Sequence, residues 1–344
     1  MNFPISEEYI YFDSAKSSGM YQELLSWRTN HDKLLLEKGS QFRSNHKSFM
    51  DEFRTGLGNF FHTQKTNVYL TQSFSIGFKS VLNILDPNLK FLLVKEDYPS
   101  IIEQVESNGF QYNYVENTYE LEKTILKGID QYKPQVLVLT IVQYISGLLM
   151  DLNFFKQLKK NYPNLLIIAD GTQFCGTKDF DFQNSGIDIL ISSGYKWLFS
   201  GYGNGFVLIK NNFVKGFLND VSKKNPKESF SLAFEPGNID TLSFGSLLYS
   251  LNKISDYGIL KIENRLKHLS NYAKEKFIKK NLLDTQITKR KQHSNIFNLK
   301  GEESLYKKLI QNDIICSRRG NGIRVSFNFY NTEEQIDFLL TFFN

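Results

Sequence analysis

The 344-residue sequence predicts an α/β protein, with a mostly parallel central sheet in a large domain and a smaller C-terminal α/β domain. Three observations lead there. Strand-like and helix-like patterns alternate over residues 67–200, as βαβ units require. Val136 to Val142 is a near-continuous apolar run, with Thr140 its one polar member, the mark of a strand buried on both faces. The length suits about two domains of ordinary size.

Composition narrows the classes further. The 41% hydrophobic and 22% charged fractions are those of a globular chain. The net charge of +5 is modest, and the lysine pairs Lys159-Lys160, Lys223-Lys224 and Lys279-Lys280 read as solvated faces, with no stripe or motif for nucleic acid. Cys175 and Cys316 give neither a disulfide framework nor a metal-ligand spacing, which makes a reducing cytoplasm the default compartment. Glu7 and Glu8 without a long apolar core do not read as a signal peptide, and no apolar run approaches the ~20 residues that span a bilayer. The expectations are a cytoplasmic chain, no metal, and no nucleic-acid or membrane partner.

The elements follow in chain order. Residues 1–20 form an irregular polar arm. Apolar positions Leu24, Leu25, Leu34, Leu35, Phe49, Phe53 and Leu57 predict helix over roughly 21–62. Asn67 to Leu70 reads as a short strand, Thr71 to Ser75 as a polar loop, and the stretch to Leu85 as a helix stopped before Pro87. Such a helix start presents free N–H groups to an anion, with hydroxyls at Ser73 and Ser75 as extra donors, although an ordinary serine N-cap has the same pattern. Phe91 to Val94 is the next strand, and the central run at 136–142 leads into Gln143-Tyr144-Ile145-Ser146-Gly147. A helical return covers 151–161.

Leu165 to Ala169 is apolar and ends in Asp170; Ile187 to Ile191 is apolar and leads to Lys196. Strand C-terminal ends are where open α/β sheets bind ligands. A carboxylate and a lysine brought to one such edge suit pyridoxal phosphate: the lysine for a Schiff base, the carboxylate for the pyridinium nitrogen. Gly201, Gly203 and Gly205 precede the strand Gly205 to Ile209 instead of opening a helix, so a dinucleotide fingerprint lacks its context and a tight turn is the simpler reading.

Past about Gly245 a second domain is expected. Ile262, Leu266, Leu269 and Phe277 keep one face of a long helix, 292–300 and 322–328 read as strands, and Thr332-Glu333-Glu334-Gln335 is a capping-box sequence opening a last helix. The division is then 1–20 arm, 21–244 large domain and 245–344 small domain, without internal repeats.

Two segments together carry a family resemblance. Asp170-Gly171-Thr172-Gln173 is similar to the D-[AGS]-[AST]-[QH] motif, and Ser193-Gly194-Tyr195-Lys196-Trp197-Leu198 resembles the lysine motif, of the class V aminotransferases. These are fold-type I pyridoxal-phosphate enzymes that include cysteine desulfurases, kynureninase and isopenicillin N epimerase. Tyr11 to Ala15 resembles the family's opening segment, Phe234 to Asn238 its "E-x-G-T" loop, and Gly322 to Asn331 its "R-x-S-x-x-x-Y-N" motif.

The resemblance implies roles. Lys196 would hold the cofactor and serve as base, and Asp170 would pair with the ring nitrogen. Ser73, Phe74 and Ser75 fall at the phosphate loop, where the family's common Gly-Thr pair is missing. Tyr98 would stack on the ring. Gln143 and Tyr144 both suit a contact to the phenolic oxygen or the substrate, and the match does not choose between them. Gln173 would reach the phenolic oxygen. Ser193 and Tyr195 would donate to the phosphate. Tyr195 stands where many members have histidine; it cannot shuttle protons near neutral pH, which weighs against histidine-dependent desulfuration. Asn238 replaces the threonine that reaches the partner subunit's phosphate. Arg324 would clamp the substrate carboxylate with its planar fork. Cys175 reads as buried packing, and Cys316, in the strand-like run Asp313 to Ser317, as an inert thiol.

The function this implies is a homodimeric pyridoxal-phosphate enzyme acting on an amino acid or derivative, with transamination as the leading reaction. Its rival is β-elimination, C–S cleavage or cysteine desulfuration. A catalytically silent binding protein of the same fold is the non-enzyme alternative.

Overall fold

The computed structural model describes residues 1–343. Its centre is a seven-stranded sheet in the order β2-β8-β7-β6-β5-β3-β4. The strands are β2 (Val68–Thr71), β3 (Lys90–Val94), β4 (Gln111–Val115), β5 (Val136–Thr140), β6 (Leu166–Asp170), β7 (Ile189–Ser193) and β8 (Gly205–Ile209). All neighbours from β4 through β7 pair in parallel; β8 alone runs against both of its partners. The apolar run Val136–Leu139 in β5 has a simple cause. Leu137 and Leu139 point into one core and Val136 and Val138 into another, so both faces of the strand are covered.

The pairing aligns the functional ends. Thr140 sits opposite Asp170, and Asp170 opposite Ile191, so β5, β6 and β7 finish at one edge. The helix Phe74–Ile84 begins at that same edge directly after β2.

The C-terminal part holds a three-stranded antiparallel sheet in the order β11 (Ser317–Arg319), β12 (Gly322–Ser326), β9 (Ile296–Lys300). The arm strand β1 (Ile10–Tyr11) pairs in parallel with β10 (Ile314–Ile315). The arm is therefore tied to the C-terminal part although it lies at the other end of the chain. The capping box at Thr332 forms as expected, with Gln335 reaching back to the cap N–H.

Two expectations need correction. The boundary at 244/245 cuts through the helix Thr241–Tyr257, which is capped by Asp240 and packs on the helices Gln22–Lys38 and His46–Phe60. Gly258, at φ +99°, ends that helix and precedes the helix Ile259–Lys279. The helix expected over 21–62 is broken by a 3-10 turn at Gly39–Asn45, and Leu25, Leu34 and Leu35 lie exposed on its first half. Gly39 adopts φ +51°, a conformation no continuous helix allows.

Candidate active site

One cavity lies at the C-terminal ends of β5, β6 and β7. Its walls are Ser73, Phe74, Ser75, Tyr98, Thr140, Val142, Tyr144, Asp170, Thr172, Gln173, Ser193, Tyr195 and Lys196. Asp170 closes β6 and is buried; its Oδ1 accepts the Thr172 N–H at 2.8 Å. Lys196 stands three residues past the end of β7, in a turn that only glycine permits: a Cβ on Gly194 would come within 2.1 Å of Asn204 Oδ1 and 2.3 Å of Ser200 Oγ.

Burial acts on the two charges in opposite senses. It raises Asp170 to about 7, against the Thr172 hydrogen bonds and the Lys196 charge. It lowers Lys196 to about 8, with Asp170 opposing and Arg324 and Arg319 reinforcing the drop. No ion pair joins the two among the described residues, so each polar end faces the space between them.

The anion side of the cavity is built around the helix start. Ser73 caps the helix through Ile76 N–H at 3.3 Å, and Phe74 N–H donates to Ser193 Oγ at 2.8 Å. Ser193 thereby accepts from the backbone and keeps its own proton for a ligand. Ser75 Oγ accepts from Ser100 Oγ at 2.8 Å and is likewise left with a donor. Tyr98 stands edge-on to Phe74 and Tyr144, with ring centroids 5.9 and 5.7 Å away. Tyr195 stacks on the exposed Tyr202.

Gln173 is held from both ends. Its Nε2 donates to Ala15 O and its Oε1 accepts from Trp197 Nε1, each at 2.8 Å, leaving one N–H over. Between Gln143 and Tyr144 the structure distinguishes: only Tyr144 lines the cavity. The Gln143 amide is turned into its own loop, where Oε1 accepts from Ile145 and Ser146 N–H and Nε2 donates to Glu96 O. Asn238 lies outside this cavity too, exposed, with its Oδ1 accepting from Arg43. Arg324 sits just behind the wall: its Nη1 donates to Tyr144 O at 2.9 Å, and its guanidinium is buried.

Four relevant residues received no role from the sequence. Asp97 accepts from Thr140 N–H, Thr140 Oγ1 and Tyr98 N–H, clasping the ends of β3 and β5 and setting Tyr98 in place. Thr172 Oγ1 accepts Ser193 N–H at 3.2 Å, tying the two motif segments together. Asp13, in the arm, reaches Arg324. Arg319 is exposed on β11 and its charge is felt by Lys196. Asp97 follows the strand end Val94 by three residues, and Thr172 and Asp13 lie inside segments that carry the resemblance.

The donor set fits pyridoxal phosphate. A buried carboxylate and a buried amine face one cavity without pairing, aromatic rings border it, and a helix start with free hydroxyls supplies an anion cradle. Neither cysteine belongs to it. Cys175 and Cys316 are both buried, and burial pushes the Cys316 thiol up to about 12.

Comparison with known proteins agrees with the geometry. A family model described as aminotransferase class-V matches residues 10–339. A relative from Plasmodium berghei, named as a cysteine desulfurase, is 26% identical over 302 residues, which are 72% of this chain and 54% of that protein. This chain thus spans about half the length of that relative. A second, from Ureaplasma parvum and also named as a cysteine desulfurase, is 22% identical over 98% of this chain and 94% of its own. Among solved structures, the cystine C–S lyase C-DES in complex with its reaction product cysteine persulfide superposes with a TM-score of 0.85. That likeness covers 99% of this chain and 98% of C-DES at 16% identity, a likeness of fold.

Proposed function

Because this chain belongs to the class-V aminotransferase family, whose enzymes use pyridoxal phosphate, we propose that it is a carbon–sulfur lyase acting on cystine or another S-substituted cysteine. The observation that carries this reading is the state of the two thiols. Both are buried, and Cys316 is held far from its thiolate at neutral pH, so the protein has no nucleophilic cysteine to receive sulfur. Relatives named as desulfurases support chemistry at a C–S bond, and the lack of an acceptor thiol favours elimination into solution. For cystine the balance is one water consumed, with cysteine persulfide, pyruvate and ammonia released.

When bound, pyridoxal phosphate draws electrons away from the substrate Cα. The rest belongs to this chain. Lys196 would hold the cofactor and, with its amine near 8, take the α-proton and return it at neutral pH. Asp170 would keep the ring nitrogen protonated. Ser73, Ser75 and Ser193 would bind the phosphate, with Tyr195 donating as well. Tyr98 would pack on the ring, and Gln173, with its one unspent N–H, would reach the phenolic oxygen. Arg324 would orient the substrate carboxylate. Asn238 is too exposed to serve its own cavity, which supports a homodimer in which it completes the pocket of the second copy.

The test is an assay of L-cystine with the loaded protein. Pyruvate, ammonia and persulfide are expected in equal amounts, undiminished in the double variant Cys175→Ser/Cys316→Ser and down more than ~100-fold in Lys196→Ala. Loss of sulfur release in the double variant would turn the reading to a desulfurase. A 2-oxo acid formed without ammonia or reduced sulfur would turn it to transamination, the reaction first expected.

A further inference from the structure

Arg324 lies on β12 at 2% exposure, and the N-terminal arm crosses it. Three elements meet there. The arm bridges β12 in parallel at Asp13 and Ser326; Ser326 N–H donates to Phe12 O at 2.7 Å, and Ala15 N–H donates to Ser326 Oγ at 2.8 Å. On β11, Ser317 is the cross-strand partner of Arg324. Ser317 Oγ donates to Asp13 Oδ2 at 2.6 Å, and the other oxygen, Oδ1, faces Arg324 Nη2 at 3.5 Å, with both side chains about 3% exposed.

We propose that Asp13 is the positioning residue of the carboxylate clamp: anchored by Ser317, it holds the Arg324 fork so that the pocket prefers an α-amino acid to the amine lacking its carboxylate. The inference rests on the reading of Arg324 given above. Its physical content is a count of donors. A guanidinium has five N–H groups. Tyr144 O takes one from Nη1, and Asp13 braces Nη2 on the other side. The Nε group has no protein partner although it is buried. A fork braced at two corners is restrained from swinging, and three of its five N–H groups remain for a ligand. An arginine buried this deeply also needs a nearby anion at rest, which Asp13 supplies without filling the fork. The arm thus does more than lie across the site.

The test is equilibrium binding to the loaded enzyme, followed by the cofactor's visible absorbance, with L-alanine and ethylamine as probes. They differ only by the carboxylate, and neither requires turnover or a C–S bond. The readout is the ratio of the two dissociation constants. In Asp13→Asn the preference for alanine is expected to fall about tenfold, the loss of one charge-assisted contact, with ethylamine binding unchanged. Ser317→Ala keeps the carboxylate and removes its anchor, so a smaller fall in the same direction is expected; it also serves if Asp13→Asn does not fold. Arg324→Gln should abolish the preference. An unchanged ratio in Asp13→Asn and Ser317→Ala, or equal weakening of both probes, overturns the positioning role. If Arg324→Gln abolishes the preference while Asp13→Asn retains it, only the role of Asp13 fails. If Arg324→Gln retains it, the clamp reading fails and takes this inference with it.

Discussion

Desolvation decides the behaviour of Asp170 more than any neighbour does. Its carboxyl is raised to about 7, while the unfolded chain ionises in the ordinary carboxylate range. Between those values the folded apoprotein holds more protons than the unfolded chain, so its stability falls as pH rises through that window. Relative to Asp170→Asn, the apoprotein is expected to lose about 2–4 kcal/mol between about pH 4 and pH 8, read by urea unfolding. Pyridoxal phosphate should cancel the loss, since a protonated ring nitrogen favours the ionised carboxylate. A difference that stays flat across this range would mean that Asp170 is ionised throughout. Residue identities were legible here from the two motifs. The hydrogen bonds that decide between Gln143 and Tyr144 were not, because a glutamine spent on its own loop and one aimed at a ligand look alike in sequence.

Among the elements, the helix Phe74–Ile84 carries two loads at once. Its N-cap serine satisfies the first turn and lines the cavity. Ser73→Ala is expected to cost about 1 kcal/mol in thermal or urea unfolding. It should also weaken pyridoxal phosphate, but not pyridoxal, by roughly tenfold or more, the loss of one hydrogen bond to a charged group. Equal affinity for both ligands across wild type and variant would leave Ser73 as a cap alone. Six of the seven central strands were readable from their short apolar runs, and their ends moved by only a residue or two; the edge strand β4, mostly exposed and polar, carried no such run. The first long helix was not readable in the same way. Leu34 and Leu35 suggested a buried face, yet that half of the helix packs only lightly on the rest of the chain. Apolar spacing records a tendency to be covered, and Gly39 was the one sign of a break.

At the scale of the whole molecule, the large body and the C-terminal part are joined by an ion pair between the buried Arg290 and the half-buried Glu122. Arg290 makes a two-pronged contact with Glu122 at 2.5 and 2.6 Å and donates to Tyr119 O and Leu149 O. Removing the arginine takes two donors from the Glu122 carboxylate, which keeps the Asp151 N–H, and one each from the carbonyls of Tyr119 and Leu149. Arg290→Ala is expected to destabilise the chain by about 3 kcal/mol in urea unfolding, and Glu122→Gln by less, because the neutral amide still accepts. A cost below about 0.5 kcal/mol would show the contact to be a surface pair. The sequence by itself determined the α/β class, the strand that ends in Asp170, the strand that leads to Lys196, and the residue types of the site. Each of these follows from a pattern within a few neighbouring positions. Only the tertiary structure decided that Asp13 meets Arg324 and Ser317, and that Tyr144 borders the cavity while Gln143 does not. Contacts between residues hundreds of positions apart impose no period on the chain, so they become visible only once it is folded.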